Sequence, residues 1–83
     1  MIKVKPLGSN MTELTFVNRI KEHVNLLFSY ETPVAGWDSS GAFRTDEFHS
    51  QTTSRHINKY LGDKDVGRKV SPDYIESLLS PGL

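Results

Sequence analysis

The chain has 83 residues, 36% of them hydrophobic, with 10 Lys plus Arg balancing 10 Asp plus Glu and no cysteine. That length fits one domain burying roughly 60% of its unfolded surface, a thin margin that a homo-oligomer would widen. Zero formal charge argues against sequence-independent nucleic-acid binding, which needs a cationic surplus to displace counterions, and the missing thiols exclude disulfides and Cys metal sites.

The first ten residues alternate lysine with apolar residues and lack the apolar core of a signal peptide. No apolar run approaches the roughly 20 residues of a membrane-spanning helix, so no membrane partner is expected and a cytosolic setting is. In "IKVKPL", Ile2 and Val4 share one face and Lys3 and Lys5 the other, the pattern of a half-buried strand. Pro6 removes a ladder donor, which places this strand at an edge or ends it there. The basic residues of this region, Lys3, Lys5, Arg19 and Lys21, read as a solvated strand face. "MTELTFV" and "HVNLLFSY" alternate again and predict a hairpin across Asn18 to Glu22. A helix over Thr12 to Phe28 competes, because Ile20, Val24 and Leu27 also have helical spacing.

"ETPVAGWD" and "GAFRTD" flank "DSSG", Asp38 to Gly41, a third hairpin signal. Pro33 predicts an edge or a bulge near the start of its strand. Ile57, Tyr60 and Leu61 then form a helical stripe, with Thr52 or Thr53 as the cap and Gly62 as the left-handed stop. "GDKDVGRK" reads as a polar loop. "SPDYIESLL" has Ser71 as N-cap, Pro72 at the first helical position, Asp73 in the first turn, and an apolar face of Tyr74, Ile75, Leu78 and Leu79. The expected fold is a small α+β domain over 1–79. It is an antiparallel meander of three to five strands with two short C-terminal helices packed on it, and 80–83 form a frayed tail.

Three stretches in order, "LLFSYETPVAGW", "FRTDEFHSQTTSRHINKYLG" and "SPDYIESLL", resemble a family of short proteins and domains found mainly in tailed-bacteriophage genomes and of unknown function. The shared pattern reads Phe-Ser-Tyr-x-Thr-Pro-Val-Ala, an aromatic-Arg/Lys-Thr segment, Ser-x-Thr-Thr-x-x-His-Ile-Asn and a closing Pro-x-x-hydrophobic-x-x-Leu. It covers about Leu7 to Leu79 and departs at Asn18 to His23, where a short polar or Gly-bearing turn is expected. The resemblance implies a viral origin and the cytoplasm of an infected bacterial host. It supplies no substrate, cofactor or catalytic residue.

The densest polar stretch is "SQTTSRHINKYLG", Ser50 to Gly62. A helix start offers unpaired N–H groups and partial positive charge. Hydroxyls of Ser50, Thr52, Thr53 and Ser54 and the Arg55 guanidinium add donors, and Arg44 and Thr45 precede them from the neighbouring strand. The set suits a phosphate or carboxylate, with Trp37, Phe43 and Phe48 as a flat surface for a base. The plainer reading has one threonine as cap, Arg55 in solvent, and His56 half-buried and bonded to a backbone carbonyl. A hydrolase centred on His56 needs a third group to orient it, and Asp46 and Glu47 have no spacing that requires this. A metal set of Asp46, His49 and His56 has no recognised spacing. Phe16, Phe28, Tyr30 and Tyr74 read as core, and Trp37, beside a turn, as a protein-contact anchor.

The leading expectation is a non-enzymatic accessory protein that binds a host component, with inhibition of a host defence or metabolic factor as its task. That part rests on the resemblance. The alternative is capture of a nucleotide or anion by Arg44, Thr45, Ser50, Thr52, Thr53, Arg55 and His56. No cofactor and no metal is expected.

Overall fold

The alternating segments fold as strands, which decides 12–17 and 23–28 against a helix. The computed structural model describes residues 2–8, 10–17 and 21–79. Strand β1 (Ile2–Gly8) pairs antiparallel with β2 (Met11–Val17), β2 with β3 (His23–Ser29), β3 with β4 (Thr32–Asp38), and β4 with β5 (Gly41–Thr45). Helix α1 (Gln51–Leu61) then crosses to β6 (Arg68–Val70), which lies parallel to β5, and α2 (Pro72–Leu79) follows. Among the described residues the sheet has six strands in the order β1-β2-β3-β4-β5-β6, more than the three to five expected. The added strand begins in "GDKDVGRK", for which the sequence predicts a loop, and ends one residue past it at Val70. Its three residues are too few to show a period, and its pairing needs the crossover helix that parallel strands require. The expected turn at Asn18 to Glu22 lies partly, and the 80–83 tail wholly, outside the described residues.

Period-two alternation sends consecutive residues to opposite faces, and the two helices cover different faces. On one, Ile57 and Leu61 of α1 pack with Met11, Leu27, Val34 and Ala35. On the other, Ile75 of α2 packs with Val24, Leu26 and Phe43. Leu26 and Leu27, adjacent in sequence, thus anchor separate cores. Val34 and Ala35 share one core because a bulge intervenes: Leu27 opposes Ala35 and Phe28 opposes Pro33. Pro33 therefore sits at a bulge of an internal strand, and Pro6 lies in the edge strand next to its own register shift.

Local chemistry sets the ends. Asp38 pairs with Gly41 across the β4–β5 turn, and its Oδ1 accepts from Ser40 N at 2.8 Å. Gly41 takes φ +106°, open to glycine. Ser50, extended at φ −167°, caps α1 by accepting from Thr53 N at 3.1 Å, so neither threonine is the cap. Gly62 ends α1 in the left-handed region, its N–H donating to Asn58 O at 2.8 Å. Ser71 Oγ accepts from Tyr74 N at 3.2 Å at the start of α2.

Candidate functional site

The hydroxyls at the start of α1 bond to one another and to β3. Ser50 Oγ donates to Thr53 Oγ1 at 3.2 Å, Thr53 Oγ1 lies 3.0 Å from Ser29 Oγ, and Ser29 Oγ lies 2.7 Å from His56 Nδ1. Ser50 donates to Thr53, and the two remaining links can run either way: Thr53 to Ser29 to His56 Nδ1, or His56 Nδ1–H to Ser29 to Thr53. The sequence predicts a backbone carbonyl as the partner of His56; the partner is the Ser29 hydroxyl, 27 residues away, which no local pattern marks.

The Ser29–His56 contact has the spacing of a nucleophile and its base. Ser29 is buried, and its oxygen is already bonded to Thr53 as well as His56. The arrangement ties β3 to α1. Thr53→Val removes both hydroxyl links of a buried group, so we expect a loss of about 1–2 kcal/mol in urea unfolding. Arg55→Ala, at an exposed position, should change stability by less than about 0.5 kcal/mol. Equal losses in the two variants would overturn this reading.

Arg44 and Thr45 lie on another side of the helix. Arg44 donates from Nε to Val66 O at 2.9 Å, from Nη1 to Asn58 Oδ1 at 3.0 Å and from Nη2 to Asp63 O at 2.8 Å. Its fork thus pins the connection between α1 and β6. Thr45, buried, accepts from Glu47 N at 3.1 Å. Both line a groove of about 280 Å³ with Ser54, Asn58, Lys64 and Lys69, but Asp46 and Glu47 line it too, so its charge is mixed. The proposed ligand set is thereby divided. Arg44 and Thr45 face this groove, Ser50, Thr53 and His56 are linked to Ser29, and Thr52 and Arg55 are exposed. Phe43 is fully buried while Phe48 is exposed, so they form no common surface with Trp37. Asp46, His49 and His56 do not assemble: among the described residues no group of three His, Asp or Glu is placed to hold a metal.

A second polar cluster went unmarked in the sequence. Arg68 Nη2 donates to Asp38 Oδ1 at 3.1 Å, to Oδ2 at 2.9 Å and to Tyr74 Oη at 2.8 Å, while Tyr74 Oη also contacts Asp38 Oδ2. Arg68 lies 5.6 Å over each of the Phe43 and Tyr74 rings. Burial would raise the Asp38 carboxyl, but the Tyr74, Ser40 and Arg68 donors together hold it below its ordinary value. Burial, then Asp38, pushes the Tyr74 phenol up. Tyr60 donates to Glu13 Oε2 at 2.6 Å, and burial, reinforced by that carboxylate, strongly raises its phenol. All three tie neighbouring elements together.

What remains open is apolar. The α2 face of β1–β3 carries Ile2, Val4, Leu14, Phe16 and Phe28, and α2 covers only the neighbouring part of that face. Ile2 is 70% and Val4 66% exposed. Val4, Thr12, Leu14, Phe28 and Tyr30 line a groove of about 260 Å³. Tyr30, read as core, is 53% exposed. It leaves the strand alternation in the β3–β4 turn at φ +57°, a conformation that costs a non-glycine residue roughly 1–2 kcal/mol. Its N–H donates to Asn10 O at 2.7 Å, and its ring lies 6.0 Å from that of His56. Ser29 pairs with Thr32, so Tyr30 opens a two-residue hairpin loop, and such loops require positive φ at their first residue. Trp37, 42% exposed, sits on the opposite, α1 side, paired with Asn25 and Ala42. No helix among the described residues is long and apolar enough to cross a membrane.

Neither a curated protein nor a solved structure matches the chain. A family model matches residues 2–77, nearly its whole length. The chain therefore belongs to the family described as of unknown function, DUF8033.

Proposed function

We propose that the protein is a non-enzymatic binding module that docks a protein partner on the uncovered half of its sheet. The observation that supports it is the apolar stripe of Ile2, Val4, Leu14 and Phe28 beside the exposed Tyr30. A domain with so small a core gains by covering such side chains, and contiguous exposed apolar surface marks interaction sites. That the protein is an accessory factor of a tailed bacteriophage, and its partner a defence or metabolic component in the host cytoplasm, is the finer part of the proposal. It rests on the motif resemblance. Capture of a nucleotide or anion at 50–56 has less support, because the Ser50 and Thr53 hydroxyls bond internally and Arg44 is bonded elsewhere.

The test is partner recovery by tagged protein from bacterial lysate. Wild type should retain one stoichiometric protein. Val4→Asp, at an exposed position, should lose it with the melting curve unchanged, and Arg55→Ala should keep it. Retention by Val4→Asp, or loss in Arg55→Ala, overturns the reading.

A further inference from the structure

The uncovered face ends at a strand edge, and the two together define the shape of an occupant. Strand β1 closes the sheet on one side, and among the described residues nothing pairs with its outer edge. Its backbone groups on that side are available for another strand. Along β1 the side chains alternate, with Ile2 and Val4 on the uncovered apolar face and Lys3 and Lys5 on the other. Lys3 opposes Thr15 on β2 and Lys5 opposes Glu13. The Glu13 carboxylate is held by Tyr60, and neither lysine has an ion pair among the described residues.

A second copy is a poor occupant. Antiparallel self-pairing centred on Val4 sets Lys3 against Lys5 of the other copy, twice. Centring on Lys3 or Lys5 sets a lysine against itself, and a one-residue slip turns the lysine face toward the apolar one. Lysines on an edge strand guard it against its own kind. The same pair of charges selects a strand that carries the opposite sign at the same spacing.

We propose that β1 accepts an extended segment of a partner protein as an added strand, one whose acidic residues alternate with apolar ones. This rests on the binding-module reading and names its mode. Acidic side chains two apart lie opposite Lys3 and Lys5. The apolar side chains between them extend the Ile2–Val4 face, and one enters the groove of Val4, Leu14, Phe28 and Tyr30. Main-chain bonds supply affinity and the alternate side chains supply specificity. Pro6 has no N–H, so the added ladder rests on residues 2–5.

Three labelled peptides test it by fluorescence anisotropy on the full chain: an alternating Glu/Val heptamer, its Lys/Val counterpart, and a scramble of the first. The Glu/Val peptide should bind at least tenfold tighter than the other two and weaken as salt rises. Lys3→Glu with Lys5→Glu, both exposed, should reverse the preference, so that the Lys/Val peptide binds best. Equal binding of alternating and scrambled peptides overturns the proposal. So does a preference unchanged by the double charge reversal, or a dimer in sedimentation that Val4→Asp dissociates. If the partner recovered from lysate is lost with Val4→Asp but kept by the double charge reversal, strand addition fails while the apolar docking face stands.

Discussion

Gly36→Ala should remove more than about 3 kcal/mol of stability, at the upper end of what overpacking costs. Gly36 is buried in the internal strand β4, between Leu26 of β3 and Phe43 of β5. A Cβ there would stand 2.1 Å from the backbone oxygen of Asn25 and 2.8 Å from Phe43 Cζ. The ring has rotamers to try, but the carbonyl is part of the β3–β4 ladder and can retreat only if the strands separate. Strand separation breaks both cores at once, because Leu27 and Ala35 pack on one face while Leu26 and Phe43 pack on the other. A domain of this size has only about 4–12 kcal/mol to lose. Urea unfolding followed by circular dichroism gives the number. Adding Phe43→Leu should not rescue the variant, since the backbone collision remains. A Gly36→Ala loss below 1 kcal/mol, or rescue by Phe43→Leu, would show that the strands have more room than their register implies.

Gly36 also shows what the sequence could and could not disclose. The strands with one apolar face were legible because alternation is a local signal: Ile2/Val4, Leu14/Phe16 and Val24/Leu26/Phe28 each declare a face without reference to any partner. The "DSSG" turn and the caps at Gly62 and Ser71 were legible because their chemistry acts over two to four residues. Strand β6 was not. Arg68–Val70 has no period of its own and becomes a strand only because α1 returns the chain alongside β5. The assignment of the two helices to opposite faces was hidden for the same reason. Alternation says that a strand has two faces but not which helix covers which.

The candidate site divides along the same line. "SQTTSRH" rightly marked a helix start, and one of its surplus hydroxyls, that of Thr53, has a partner that lies outside it. Ser29, on β3, needs Thr53 and His56 as partners when buried. Arg44 was legible as a donor, but its acceptors are Asn58, Asp63 and Val66, at distances along the chain that carry no motif. Tyr30 continues the Val24/Leu26/Phe28 alternation, which predicts a place in the core. The turn that begins there rotates it out and leaves it beside the exposed Val4. Residues that close the fold and residues that face a partner belong to the same types, and only tertiary placement separates them.

Arg68→Met should cost about 2–3 kcal/mol at neutral pH, less than the full penalty for breaking a buried pair because the arginine side chain is 35% exposed. The reason lies with the partner left behind. The Asp38 side chain is 2% exposed and serves three elements: it closes the β4–β5 turn through Ser40, meets β6 through Arg68 and meets α2 through Tyr74. In the intact protein its donors overcome the cost of burial and lower its pKa. The folded state then holds the proton less tightly than the unfolded one, so this stability is fully present above the ordinary carboxylate value of about 3.9 and is lost as pH falls through the lowered native value. Without Arg68, burial is opposed only by the Tyr74 and Ser40 donors, and the charged carboxylate loses its countercharge. The deficit of the variant should therefore be largest at pH 7 and shrink below about pH 4, where Asp38 can be protonated in either state. Urea midpoints of both proteins at pH 7 and pH 3 measure this. Asp38→Asn with Arg68→Met should lose about 1–2 kcal/mol less than the sum of the single changes. A pH-independent deficit, or strict additivity, would mean that Arg68 acts by packing on Phe43 and Tyr74 and not through the carboxylate.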